Sequence, residues 1–257
     1  MADTVELTAV QWRRLLPWYN RAHHLPSLPR QPTSSLAVSD SAAAEAEERY
    51  LRSDPSLVVV DDLFTGETLE ALREFAARAT VWHDTKPGYV GAYLASGWGT
   101  QLMAQITDEI RARFPRIICQ HQLIEAWAYK YDPTLAAGIE THADEAAVNL
   151  NVWITPTEAS LAPENAGLSV YTVKPPKSWT PNDYNGPQGK AKVERLLAGH
   201  GYENVTVEFK QNRALLFDSH LFHVSGSGLP GFKDGLKNRR INLTFLFGLK
   251  GEPCRAG

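Results

Sequence analysis

THADEAAVNLNVWITP, residues 141–156, places a histidine and an aspartate two positions apart and then runs into a strict alternation. Val148, Leu150, Val152 and Ile154 form one set, and Asn149, Asn151 and Trp153 form the other. Period-two patterning of this kind belongs to a β-strand with two chemically different faces. In extended backbone, residues i and i+2 point the same way, so His142 and Asp144 offer an imidazole nitrogen and a carboxylate oxygen to one point. A solvated turn ahead of a strand can contain the same pair, so a metal reading needs a third ligand from elsewhere in the chain.

Upstream, the chain reads mostly as helix. Residues 6–20 predict a short helix with Leu7, Trp12, Leu15, Leu16 and Trp18 on its apolar side, interrupted at Pro17. Residues 21–40, with HHLPSLPRQPTSS, read as a loop or arm. SAAAEAEERYLR, 41–52, consists of helix formers behind a serine that can cap them. SLVVVDDLF, 56–64, reads as a buried strand, and Thr65 is placed to cap the helix GETLEALREFAARA behind it. In GTQLMAQITDEIRARF, Leu102, Ile106, Ile110 and Phe114 recur every fourth position as a stripe that faces a sheet.

From residue 122 the texture changes to short strands: LIEAWAYKY, AAVNLNVWIT, LSVYTV, VTVEF, ALLFD and INLTFLFG. Helices first and strands after predict an antiparallel sandwich or barrel with helices on one outer face. Residues 155–203 break that rhythm with two proline-rich stretches and a helix at KAKVERLLAGH, an insertion that reads as a lid or binding loop. Within it, Trp179 and Tyr184 either close over a substrate or staple the loop down.

Composition excludes several classes. The 257 residues are enough for one large domain, and 43% hydrophobic with 21% charged residues is ordinary for a water-soluble globular chain. A net charge of −3 offers no general attraction for a phosphate backbone, so nucleic acid is not an expected partner. Cys119 and Cys254 make neither a disulfide framework nor a zinc spacing, the N-terminus lacks a signal-peptide pattern, and no stretch has the apolar length of a membrane span. The expectation is a cytoplasmic protein without a membrane partner.

FDSHLFHVSG, 217–226, supplies His220 and His223 as candidate third ligands. Two histidines and one carboxylate on one face of an octahedron leave open positions opposite, as non-haem iron(II) oxygenases require. In RINLTFLFG, 240–248, Arg240, Asn242, Thr244 and Leu246 share one face, while Ile241, Leu243, Phe245 and Phe247 form an apolar one. A guanidinium inside a barrel is costly without an anion, so Arg240 sits either at a solvated rim or opposite a carboxylate supplied by a ligand.

His142-x-Asp144, His223 79 residues after that aspartate, and Arg240-x-Asn242-x-Thr244 a further 17 residues on resemble the iron(II)/2-oxoglutarate-dependent oxygenases. SLVVVDDLFTGETLEALREFA is similar to the strand and helix that open many members, and the resemblance covers about residues 56–250. It implies a mainly β fold with flanking helices around a double-stranded β-helix (jelly roll, cupin-like), with the metal at its open end. On that basis residues 1–55 are a helical and loop extension, and 56–257 are the oxygenase domain carrying the 155–203 insertion. The resemblance implies that His142, Asp144 and His223 hold Fe(II), with His220 as the alternative third ligand. It further implies that Arg240 binds the distal carboxylate of 2-oxoglutarate, helped by Tyr131 or Thr244, with Asn242 on the same face and Tyr129 as a second choice of tyrosine. Asn149, Asn151 and Trp153 are then either cavity-lining contacts for substrate or internal hydrogen-bonding residues.

Two departures narrow the activity. Leu246 stands where the similar nucleic-acid-repair branch carries a second arginine, and Asp144 is present where the halogenating branch carries a small residue. The resemblance therefore implies dioxygen-dependent hydroxylation of a small molecule, such as an amino acid, a sugar derivative or a biosynthetic intermediate, with release of succinate and carbon dioxide. Two other readings stay open at this point: a cupin-like metal-binding isomerase or lyase without 2-oxoglutarate, and a non-catalytic jelly-roll binding module.

Overall fold

The structure is a computed structural model that describes residues 6–17, 19, 21–27, 33–118, 120–132, 139–226 and 231–251. Trp18, Cys119, Cys254 and residues 28–32 of the predicted arm lie outside the described residues. In chain order the elements are α1 (Ala9–Leu15), α2 (Asp40–Arg52), β1 (Leu57–Val60), α3 (Gly66–Arg78), β2 (Asp84–Lys86), β3 (Tyr89–Tyr93), α4 (Gln101–Arg113), β4 (Leu123–Tyr131) and β5 (Ala146–Trp153). There follow β6 (Leu168–Tyr171), α5 (Pro181–Asn185), α6 (Lys190–Gly199), β7 (Asn204–Val207), β8 (Ala214–Asp218), β9 (His223–Ser225) and β10 (Ile241–Leu249).

Seven strands form one antiparallel sheet in the order β1-β8-β5-β10-β4-β3-β2, and β7-β6-β9 form a second. The period-two pattern decides which faces meet. Val148, Leu150 and Val152 of β5, with Leu243, Phe245 and Phe247 of β10, turn outward and make the main core with Leu72 and Phe75 of α3 and the stripe of α4. Leu102, Ile106, Ile110 and Phe114 are all at most 1% exposed, so the four-residue repeat does face the sheet. On the opposite face, Leu57, Val59, Leu215, Phe217 and Trp153 pack against Leu168, Val170 and Val207 of the small sheet. The small sheet thus covers only one wing of the large one, and the polar inner faces of β5, β10 and β4 are left to line a cavity.

Several local expectations change. The helix capped by a serine begins at Asp40, and the capping side chain is Ser39 rather than Ser41. The second half of the predicted arm is built into the core. Leu36 and Val38 are buried, Leu36 bridges to Phe64, and the Glu109 carboxylate accepts from the Ser35 and Leu36 amides and the Ser34 hydroxyl. Ala43, Ala46 and Tyr50 of α2 join the main core, so residues 33–52 pack as part of the same body as the strands that follow. Helix α1 forms, but it buries none of its residues, so Trp12 and Leu15 face solvent. The β2–β3 hairpin carries no alternation that announces it in the sequence. Its loop is Pro87-Gly88 between the paired Lys86 and Tyr89, with Gly88 at φ 83°, and the Pro-Gly pair is the signal that a tight turn required.

On the outer face of β4, Lys130 reaches under α3, donating to the Ala76 carbonyl at 3.1 Å with its ammonium 4.1 Å from the Trp82 ring. Burial pushes its pKa down to about 8. Because the unfolded lysine holds its proton more tightly, keeping this ammonium folded costs stability at neutral pH, and stability rises as pH climbs from about 8 towards the unfolded value of about 10.4. Trp82 Nε1 also donates to the Ala76 carbonyl, so that acceptor stays satisfied without the lysine. Lys130→Met should therefore raise the unfolding free energy at pH 7 by about 1–3 kcal/mol and flatten its rise between pH 8 and 10. Urea denaturation across that pH range reads both effects, and a destabilised variant would refute the argument.

Candidate metal centre

The turn before β5 and the start of β9 are stitched together by backbone hydrogen bonds. His142 and His223 form an antiparallel bridge, each amide donating to the other's carbonyl at 3.1 and 2.8 Å, and the Asp144 amide donates to the Ser219 carbonyl at 3.1 Å. The two imidazoles consequently face each other with centroids 4.2 Å apart. His142, Asp144 and His223 each present a donor atom within 4.8 Å of the others. The alternative ligand, His220, lies outside this cluster, with its Nδ1 3.6 Å from Asp218.

The tautomers follow from the partners. A carbonyl can only accept, so the contacts of His142 Nδ1 with Glu140 O at 2.8 Å and of His223 Nδ1 with Leu221 O at 3.0 Å put the proton on Nδ1 in both rings. The Nε2 lone pairs are left for the centre, where His142 Nε2 lies 3.8 Å from Asp144 Oδ1 and His223 Nε2 lies 3.5 Å from Asp144 Oδ2. Burial, reinforced by His223, pushes the His142 pKa down to about 4, which keeps that ring neutral and able to ligate. Burial alone would raise the Asp144 carboxyl, but the two histidines and the Asn149 amide outweigh it and hold it below the ordinary carboxylate range. Two imidazoles and one carboxylate converging on one point are the donor set of a divalent transition-metal site.

A cavity of about 220 Å³ opens from this cluster, its walls including Trp127, Tyr129, Asn151, Ser225, Asn242 and Thr244. At about 30 Å³ per water, it has room for one small organic acid. Arg240 is one same-face step along β10 from Asn242 and is only 2% exposed, so the sequence alternative of a solvated rim position is excluded. Its guanidinium donates to the Gly226 carbonyl at 3.0 Å and the Gly167 carbonyl at 3.2 Å and lies 4.5 Å from the Tyr131 ring. Neither glycine tolerates a Cβ, which would strike the Asn165 carbonyl at Gly226 and the Val207 carbonyl at Gly167. Among the described residues no carboxylate pairs with Arg240, and burial pushes its pKa down. Arg240 Nε, the Tyr131 hydroxyl and Asn242 Oδ1 are all buried and have no hydrogen-bond partner among the described residues.

The other sequence candidates separate into two groups. Asn149, Asn151, Thr244 and Asn242 line the cavity, as does Tyr129, whereas Trp153 packs edge-on against Phe209 between the sheets. Tyr184 is 2% exposed in a third core cluster with Val193, Leu197 and Phe222, and Trp179 packs against that cluster with Lys192 above its ring. The insertion they belong to grips the metal-binding turn on both sides of Asp144. Asn185 exchanges two hydrogen bonds with the backbone of Ala143, at 3.2 and 2.7 Å, and the Tyr184 hydroxyl donates to Glu145. Trp127, Ser225, Ile139 and Leu168 of the cavity wall were not singled out from sequence, where each reads as an ordinary strand or loop residue.

Two facing antiparallel sheets carry, beside a small polar cavity, a largely buried two-histidine, one-aspartate cluster whose donor set could hold a divalent metal, on a double-stranded β-helix. No protein-family model and no curated protein sequence matches the chain. Among solved structures, it is similar to the non-haem α-ketoglutarate-dependent epimerase SnoN from nogalamycin biosynthesis, with a TM-score of 0.57, 13% identity, and coverage of 85% of this chain and 94% of that one. It is also similar to HygX from Streptomyces hygroscopicus, solved with nickel and 2-oxoglutarate bound, with a TM-score of 0.54, 15% identity, and coverage of 80% and 87%. A prolyl-4-hydroxylase from Pseudomonas putida aligns with a TM-score of 0.51 and 13% identity over 80% of this chain and 98% of that one. The fold is therefore the one used by the iron/2-oxoglutarate-dependent oxygenases. No helix among the described residues is long and apolar enough to cross a membrane.

Proposed function

We propose that this chain is an iron(II)- and 2-oxoglutarate-dependent dioxygenase that hydroxylates a C–H bond of a small molecule. The observation that carries this reading is the buried Arg240. A guanidinium placed in the interior with no carboxylate partner among the described residues, two positions from Asn242 in the wall of a cavity of about 220 Å³, calls for an anionic ligand. The residues present fit both groups. His142, Asp144 and His223 would hold the ion through two imidazole nitrogens and a carboxylate oxygen. Arg240 Nε and the Tyr131 hydroxyl, buried donors without a partner among the described residues, would hold the distal carboxylate of 2-oxoglutarate, with Asn242 in the cavity wall close by in sequence. When bound, iron and 2-oxoglutarate together supply dioxygen activation coupled to release of succinate and carbon dioxide.

The chain's own share is positioning. The Nδ1 hydrogen bonds fix both imidazoles, and the Tyr131 ring packs on the guanidinium that anchors the cosubstrate. The half-buried Trp127 and Tyr129 rings offer apolar surface to a substrate at the cavity wall. HygX has also been solved with hygromycin B bound, and SnoN is an epimerase, so relatives in fold act on small molecules with more than one outcome. Asp144, present where the halogenating branch carries a small residue, favours hydroxylation over halogenation.

Anaerobic addition of Fe(II) and 2-oxoglutarate to the full chain tests the reading. A visible metal-to-ligand charge-transfer band is expected, and it should vanish when 2-oxoglutarate is replaced by succinate. Metal-loaded protein without the band would leave a metal-binding protein that does not use 2-oxoglutarate. Product mass from a small-molecule panel that stimulates succinate formation would then distinguish hydroxylation from isomerisation.

A further inference from the structure

Within the barrel, one chain of side-chain hydrogen bonds runs from the arginine strand to the metal cluster. The Thr244 hydroxyl donates to Asn151 Oδ1 at 2.8 Å, the Asn151 amide to Asn149 Oδ1 at 2.6 Å, and the Asn149 amide to Asp144 Oδ2 at 2.7 Å. All three donor residues are buried, Asn149 completely. Their placement comes from register: Thr244 lies opposite Asn151 across β10 and β5, and Asn149 lies opposite Leu246, whose side chain offers no competing donor.

The direction of the chain is dictated by its acidic end. Reversing Asn149 would turn its carbonyl onto the carboxylate, and reversing Asn151 would do the same onto Asn149 Oδ1, so both amides are locked. Every donor points towards Asp144, the pattern in which successive hydrogen bonds polarise and strengthen one another in a low-dielectric interior. Thr244 has one hydroxyl proton, and it is committed to Asn151. What its oxygen still offers the cavity is a lone pair, to which Asn242 Nδ2 approaches at 3.5 Å.

We propose that Thr244, Asn151 and Asn149 are positioning residues for Asp144, fixing the plane of its carboxylate through Oδ2 and leaving Oδ1 for one-point coordination. Thr244 is then part of the metal support and not a donor to the cosubstrate, a task left to Arg240 and Tyr131. This inference rests on the metal-centre reading and needs neither 2-oxoglutarate nor a substrate.

Cobalt(II) alone, titrated into the full-length metal-free protein, provides the test. Its dissociation constant and visible d–d bands are read for the natural chain, Asn149→Ala, Thr244→Val, Thr244→Ser and the Asn149→Ala/Thr244→Val pair. Asn149→Ala should weaken binding about 10–100-fold and alter the bands. Thr244→Val keeps the volume and loses the hydroxyl; it should weaken binding by about threefold or more, and Thr244→Ser should restore it. In the Asn149→Ala background, Thr244→Val should add nothing, because the chain is already cut. A role in packing alone would instead spare Thr244→Val and penalise Thr244→Ser. The proposal is overturned if Thr244→Val keeps the natural affinity and spectrum, or if its effect is undiminished alongside Asn149→Ala. Should Asn149→Ala fail to fold, the Thr244→Val and Thr244→Ser comparison decides the matter alone. A natural chain that refuses cobalt overturns the metal reading together with the chain, whereas cobalt binding indifferent to all variants overturns only the chain.

Discussion

Replacing His223 by alanine should cost more than about 100-fold in Fe(II) or Co(II) affinity, while His220→Ala should stay within about twofold of the natural protein. The two residues are three positions apart, yet they occupy different environments. His223 is only 3% exposed, its Nδ1 proton is spent on the Leu221 carbonyl, and its Nε2 lies 3.5 Å from Asp144. His220 pairs with Asp218 beyond the cluster. Removing a ligand exceeds the 10–100-fold loss that follows removal of a ligand's support, hence the lower bound. The His223 ring also packs against Phe217, with centroids 5.0 Å apart, so His223→Asn serves as a less cavity-forming companion to the alanine variant. Calorimetric titration of metal into each variant, with thermal melts to confirm folding, reads the result. Loss of affinity in His220→Ala with retention in His223→Ala would remove the proposed centre.

The second large effect concerns Arg240, and it separates function from stability. Arg240→Met deletes a buried charge that has no carboxylate among the described residues. Such a replacement is neutral or stabilising in many interiors, although here the Gly226 carbonyl gives up its guanidinium donor and the Gly167 carbonyl keeps only the Gly226 amide. The ligand-free variant should therefore melt close to the natural protein. With a non-turnover metal present, 2-oxoglutarate at about 100 times its dissociation constant should stabilise the natural protein by about 2.7 kcal/mol. If the guanidinium–carboxylate contact contributes the few kcal/mol usual for a buried charged pair, affinity falls at least about 100-fold in Arg240→Met. The same 2-oxoglutarate concentration then stabilises the variant by only about 0.4 kcal/mol. Equal ligand-induced stabilisation of both proteins would show that Arg240 does not anchor the cosubstrate.

Much of this site could be read from the chain because extended backbone has a rigid period. The i, i+2 rule put His142 with Asp144, and Asn242 with Thr244, on common faces, and the structure brings the first pair into one cluster and the second into one cavity wall. The four-residue stripe of α4 and the Thr65 cap of α3 are equally local, and both are found as expected. Where several weak local signals compete, tertiary packing decides the outcome. The β2–β3 hairpin hid within a stretch without a clear alternation, and α1 buries none of its residues against the described part of the chain. Trp153 shares a strand face with Asn149 and Asn151, yet the small sheet reaches over its end of β5 and takes it into the core. The 155–203 insertion bears on the metal turn through Asn185 and Tyr184, which its own small core of Tyr184, Val193 and Leu197 holds in place.

By itself, the amino-acid sequence determined the pattern of faces: which strands carry apolar residues outward, which side chains share a side, and which types could ligate a metal or bind an anion. These are properties of residues a few positions apart, set by backbone geometry before any packing occurs. Only the tertiary structure decided that His223 rather than His220 meets the pair across the bridge, that Arg240 is sealed from water, and that Thr244 gives its proton to Asn151. Each of those depends on strand register and sheet coverage, which join residues about 80 to 100 positions apart, and a hydrogen-bond donor's remaining capacity is known only when all its neighbours are in place.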